Sequence, residues 1–172
     1  GIVSNGVAEV VEHTVTEGET TTTTYGAGLG GNIGALDNTG PIKIYDGAQI
    51  LDGAAAMGGN IYTGKGVNMT INGKVSGGEA TAVGSYGGLG GNVYILNGAG
   101  NVDHSISIGE TGEILNGNAS IGGNIWSGHY TTVLGKVSGG TATKHAGNIY
   151  HLGTLNVGNA KGAAAEICGG TA

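Results

Sequence analysis

The chain has 172 residues, of which 40 are glycine and one is proline; there is no arginine or phenylalanine, and the net charge is −6. Hydrophobic residues make up 38% and charged residues only 10%, so there is material for a thin aliphatic core but not for a bulky globular one. The near absence of proline excludes collagen and Pro-rich linkers, and the acidic balance without arginine argues against a grip on nucleic-acid phosphates.

No apolar run approaches the roughly 18 residues that would cross a membrane. The single cysteine, Cys168, has no internal partner for a disulfide. The chain starts at Gly1 with neither methionine nor signal peptide, which reads as a processed form or a piece of something longer.

Taken in chain order, residues 1–16 read as an irregular or edge-pairing segment. They carry Val7, Val10, Val11 and Val15, and the acidic stretch Glu9, Glu12, Glu17 and Glu19, which begins in this segment and runs past it, reads as a solvated face. Thr20, Thr21, Thr22, Thr23 and Thr24 follow as an exposed strand, an O-glycosylated patch or an ice-facing row. An ice-binding row would need aligned threonines in every repeat, and Thr141-Ala142-Thr143 has no full counterpart.

From residue 17 to residue 172 the chain repeats itself, and self-similarity at 20–50 residues signals a solenoid. Gly-Asn-aliphatic recurs at Asn32, Asn60, Asn92, Asn124 and Asn148, spaced 28, 32, 32 and 24 apart. After the last four comes an aromatic: Tyr62, Tyr94, Trp126 and Tyr150. A second element, Lys74-Val75-Ser76-Gly77-Gly78, returns as Lys136-Val137-Ser138-Gly139-Gly140. Between them lie short alternating runs such as Val67–Ile71 and Ser105–Ile108. Period-two alternation bounded by Gly and Asn predicts strands, about three per unit. Such strands pair only by stacking coil on coil. The expected fold is therefore all-β: a parallel β-helix of about five to six coils forming a single domain over 1–172, right-handed as parallel crossovers usually are.

Ser138-Gly139-Gly140-Thr141-Ala142 followed by Gly147-Asn148-Ile149-Tyr150 resembles the SGNxA…GGAIY repeat of bacterial and chlamydial polymorphic outer-membrane proteins, and the repeats of autotransporter adhesins. Asparagine stands where that family has alanine, and its Phe-x-x-Asn half is missing. The resemblance implies a β-helical fold and a cell-surface location.

The five asparagines predict an amide ladder along the helix axis. The four aromatics predict a stacked file: core if inward, a contact strip for a neighbouring subunit or sugar rings if outward, with packing or subunit contact the preferred role. Asn68 and Asn118 begin glycosylation sequons. No catalytic residue is assigned, because Asp37, Asp46, Asp52 and Asp103 do not form the clustered carboxylates of β-helical lyases. No metal or cofactor is assigned either: His13, His104, His129, His145 and His151 lack ligand spacing. Gly26–Gly31 fits G-x-G-x-x-G only because glycine is everywhere.

The expected function is a structural subunit of an extracellular filament that stacks on copies of itself through open solenoid ends. Both termini read as mid-coil: 1–6 matches 73–78, and 167–172 matches 137–142. The alternatives are a rod-like adhesin binding glycans and, remotely, a polysaccharide lyase or hydrolase.

Overall fold

The computed structural model describes residues 1–17, 20–96, 105–158, 162 and 164–172, and the fold follows from where glycine and asparagine let the backbone turn. Coil one holds β1 (Ile2–Ser4), a hairpin of β2 (Val10–Glu17) and β3 (Thr20–Ala27), then β4 (Ile33–Ala35) and β5 (Ile42–Ile44). Coil two holds β6 (Gln49–Leu51), β7 (Ala54–Ala55), β8 (Ile61–Thr63) and β9 (Met69–Ile71). Coil three has β10 (Lys74–Ser76), β11 (Glu79–Ala80), a small hairpin of β12 (Ala82–Val83) and β13 (Tyr86–Gly87), β14 (Val93–Ile95) and β15 (Ser105–Ile108). Coil four has β16 (Glu113–Leu115), β17 (Asn118–Ile121), β18 (Ile125–Ser127) and β19 (Tyr130–Val133). Coil five has β20 (Lys136–Ser138), β21 (Thr141–His145), β22 (Ile149–His151) and β23 (Leu155–Val157), and a sixth coil begins with β24 (Glu166–Cys168).

Stacking these coils makes four parallel sheets. The first runs β1-β6-β10-β16-β20-β24, the second β7-β11-β17-β21, the third β4-β8-β14-β18-β22 and the fourth β5-β9-β15-β19-β23. Bridges from Val7 to Ala54 and from Thr171 to Thr141 extend the second sheet one position at each end. The fold is thus a parallel β-solenoid, without helix among the described residues.

It has four faces per coil rather than about three. Lys74–Ser76 and Glu79–Ala80, which read as one element, are separated by a corner at Gly77, where φ is 69°. The equivalent residues Asn5, Asp52, Asn116, Gly139 and Gly169 also have positive φ, which only Gly and short polar residues adopt cheaply. The N-terminal segment also differs from an irregular arm. β1 is the outermost strand of the first sheet, and β2 leaves the solenoid as half of an antiparallel hairpin with β3.

Every strand sends alternate residues inward. One file runs Val3–Ile50–Val75–Ile114–Val137–Ile167 through the first sheet. Another runs Ile33–Ile61–Val93–Ile125–Ile149 through the third. Ile61, Val75, Val93, Ile106, Ile114, Ile125 and Val137 have no exposed surface at all. Each such burial contributes about 1.5–3 kcal/mol, and this narrow column is the main force holding coil to coil. Ile114→Ala should therefore lower unfolding free energy by about 2–5 kcal/mol in urea titration, with the β-type circular dichroism of the remaining folded fraction unchanged.

Candidate functional site: the asparagine ladder and the end faces

The turn into the third sheet explains the Gly-Gly-Asn motif. Gly58, Gly90 and Gly122 take φ of 61°, 63° and 66°. In the fifth coil Ala146 occupies that position at φ 54°. The second glycine is needed for a different reason. A Cβ on Gly59, Gly91 or Gly123 would run into the backbone of the adjacent coil, against the carbonyls of Gly91, Gly123 and Gly147 respectively.

The asparagine that follows points across the narrow side of the solenoid, and here the side chains form one continuous file. Asn32 Nδ2 donates to Asn60 Oδ1 (2.6 Å), Asn60 to Asn92 (2.7 Å), Asn92 to Asn124 (2.7 Å) and Asn124 to Asn148 (2.9 Å). Each Oδ1 also accepts a backbone N–H from the corner between first and second sheets: Gly6, Gly53, Gly78, Gly117 and Gly140 in turn. Each Nδ2 gives its other hydrogen to a carbonyl one coil on, from Leu51, Ser76, Leu115, Ser138 and Cys168. Asn60, Asn92 and Asn124 are wholly buried and make all four bonds available to an amide. This is a structural site, with no room for a ligand.

Tyr62, Tyr94, Trp126 and Tyr150 also stand in file, on the opposite side of the third sheet from the aliphatic core. Successive ring centroids are 5.4, 4.6 and 6.4 Å apart with near-parallel planes. The file is packed over by Leu29, Met57, Leu89, Leu96 and Ile121, leaving Tyr62, Tyr94 and Trp126 only 4–8% exposed. Burial pushes the Tyr94 phenol up to about 12 and raises Tyr62 as well, with nearby acidic groups adding to both. As a contact strip for sugars, then, Tyr62, Tyr94 and Trp126 have no free face, and Tyr150 is half-buried. Among the described residues the exposed aromatic side chains lie elsewhere, at Tyr45 and Tyr130. Leu29, Met57, Leu89 and Ile121 sit three residues before the first four asparagines, a signal the sequence carried for this second apolar layer.

The remaining candidates are dispersed. Asn68 and Asn118 are both exposed; the Asn68 amide oxygen accepts from the Ser105 N–H and hydroxyl, while Asn118 lies within β17. Thr20–Thr24 lie along β3, where Thr23 meets Thr14 at 3.2 Å; the side chains of Thr20, Thr21 and Thr22 are outside the described residues, as are Glu19, Asp103 and His104. Among the described residues no three His, Cys, Asp or Glu side chains are grouped to hold a metal. No helix is long and apolar enough to cross a membrane. Cys168 donates to Glu166 Oε1 at 2.8 Å, and this bond raises the pKa of the exposed thiol. Lys136 pairs with the other oxygen of Glu166 at 3.1 Å.

In the outermost described coils the apolar columns are less covered than inside. Val3 is 45% exposed and Ile167 38%, although their file is at most 5% exposed from Ile50 to Val137. Leu155 and Val157 are likewise exposed on β23. A depression of about 470 Å³ on the C-terminal face is lined by Asn148, Ile149, Leu155, Ile167 and Gly170, among others.

Removing one rung strips partners from four groups at once. Asn92→Ala leaves Gly78 N–H, the Leu115 carbonyl, Asn60 Nδ2 and Asn124 Oδ1 each one bond short. We expect a loss of about 3 kcal/mol or more in chemical denaturation, and a smaller loss for the half-buried terminal rung in Asn32→Ala.

His151 provides a pH test. Its desolvation lowers the imidazole pKa from the ordinary 6.5, its Nδ1 accepts the Gly153 N–H at 3.0 Å, and its buried Nε2 has no partner. The unfolded chain therefore takes up this proton first. Stability should be full above about pH 6.5 and fall as pH drops from there towards the lower folded-state value, after which the loss stops growing. Melting temperatures across pH 7 to 5 should show that slope, flattened in His151→Asn.

No protein-family model matches the chain, and no curated protein or solved structure is significantly similar to it.

Proposed function

We propose that this chain is a structural building block, a stiff solenoid that works outside the cell by stacking end to end on copies of itself. The observation that carries the reading is that every coil pairs with the next through the same four parallel sheets, the same amide rung and the same aliphatic files, so that one coil is a template for another. Among the described residues β22 and β23, like β4 and β5, each have a partner on one edge only. Unpaired edges over exposed apolar columns are templates for another strand. The contact joins unlike faces, so it propagates instead of closing.

The rest of the molecule offers little competing chemistry. Asn60, Asn92 and Asn124 are saturated by neighbouring amides and corner backbone groups, and Tyr62, Tyr94 and Trp126 are covered. A low-charge, glycine- and threonine-rich surface supports an extracellular setting, as does the resemblance of the repeat to bacterial surface β-helices. Under the adhesin reading, sugar stacking falls to the exposed Tyr45 and Tyr130, which sit apart on the fourth-sheet side and not in a strip.

Electron microscopy and sedimentation velocity on the purified 172-residue chain test the proposal. Filaments or a concentration-dependent series of oligomers are expected. Val157→Glu, which puts a charge on the C-terminal face at an already exposed site, should abolish them while leaving the β-type circular dichroism intact. A wild-type chain that stays monomeric at millimolar concentration would overturn the reading.

A further inference from the structure

The first sheet turns Ile50, Val75, Ile114 and Val137 into the core, so the residues on either side of each point outward. One outward column reads Gln49, Lys74, Glu113, Lys136 and Glu166 from coil two to coil six, each in register with the next. From coil three onward its charge alternates, positive then negative, at about 4.8 Å per step. The second outward column reads Leu51, Ser76, Leu115, Ser138 and Cys168. Bulk therefore alternates with the same two-coil period, and each lysine shares its strand with a serine.

No other sheet is patterned in this way. The outward files of the second and fourth sheets carry one charge each, at Glu79 and Lys43, and the third is covered by its apolar layer. Two of the chain's six lysines stand on the first-sheet face. Lys74, Glu113, Leu115 and Lys136 are half-buried there and Glu166 is exposed. Within the chain the alternation is only partly used. Lys136 reaches Glu166 at 3.1 Å, but Lys74 and Glu113 are in no ion pair among the described residues.

An alternating face restricts how it can meet its own copy. In a closed pair the two faces are related by a two-fold axis lying in the contact plane. An axis along the solenoid would lay the charged column of one copy over the Leu/Ser column of the other. An axis parallel to the strands makes the solenoids antiparallel and lays each column over itself. Placed level with a coil, that axis sets lysine on lysine and leucine on leucine. Placed midway between coils four and five, it sets Lys74 opposite Glu166 and Glu113 opposite Lys136, each pair occurring twice. Leu115 then lies over Ser138, bulk against a gap. Glu166 has lone pairs enough to take a second lysine beside Lys136.

We propose that this face is a side-to-side contact between two antiparallel copies of the chain, in the register just described. It goes beyond end-to-end stacking and does not depend on it. Four coils of three-residue strands offer only about 200 Å² per copy, against the roughly 800 Å² of a stable interface. Between two single chains the contact is therefore weak and sensitive to salt. It multiplies where many coils lie side by side.

Zero-length carbodiimide cross-linking of mixed isotopically light and heavy chains tests this. Mixed-isotope Lys74–Glu166 and Lys136–Glu113 links are expected, with yields falling about tenfold from low to high salt. Within one molecule Lys74 and Glu166 are three strand spacings apart, about 14 Å, beyond the reach of such a link. Val157→Glu chains should give the same links, which separates side pairing from stacking. Sedimentation velocity supplies a second readout. Lys74→Glu with Lys136→Glu leaves one sign of charge on the face and should abolish pairing. Adding Glu113→Lys and Glu166→Lys restores the alternation and should restore pairing. Links found only within single chains, or failure of the fourfold exchange to pair, would overturn the proposal. Mixed Lys74–Glu113 links without Lys74–Glu166 would overturn its register.

Discussion

Where the second sheet gives way to the third, two coils approach so closely that their backbones touch through glycine alone. A buried amide, the asparagine side chain, must then satisfy the polar groups of that corner. It reaches across the solenoid to the glycine N–H at the other end of the short second sheet, so one residue ties two corners of its own coil and two neighbouring coils together. The second sheet has strands of only two residues in coils two and three. A strand that short buries too little to fix its own position, and the amide supplies the missing constraint. The aliphatic files provide most of the cohesion, but they are tolerant of small slips. The ladder is not, because a rung displaced by one residue leaves four buried groups without partners.

The strict residue requirements of this corner are why it was legible in the sequence. Few sequences besides Gly-Gly-Asn answer a left-handed turn, a backbone contact and a four-bond amide in succession, so the motif recurs even though the coils differ in length, with only the first glycine replaced, by Ala146, in the fifth coil. The aliphatic strands were legible for the ordinary reason that one face is buried. The four-sided cross-section was not, because the turn at Gly77 lies inside a run that reads as one continuous element. Nor was the burial of Tyr62, Tyr94 and Trp126. Alternation puts them outside the core, and what covers them is a set of scattered apolar residues, Leu29, Met57, Leu89, Leu96 and Ile121, each followed in sequence by Gly or Asn.

Variation in coil length has its own logic. The hairpins β2–β3 and β12–β13 both leave the solenoid between the second and third sheets. The interval from Asn60 to Asn92 contains β12–β13 and spans 32 residues, whereas the interval that ends at Asn148 contains neither hairpin and spans 24. An excursion that departs and returns at a corner alters none of the registers, and loop closure costs grow only slowly with length. The corner is thus the place where this architecture accommodates new sequence.

The ladder also has a direction. Every bond in it runs from Nδ2 to Oδ1 in the sense of increasing residue number, so the side-chain dipoles of five coils add along one axis, and each bond polarises the next. One pole of the molecule ends on an oxygen and the other on N–H groups. Two like poles brought together would set acceptor against acceptor or donor against donor, which makes a two-fold symmetric dimer through either end electrostatically unfavourable. Any fibre built on this axis is consequently polar, with chemically distinct tips that need not add or lose subunits at the same rate.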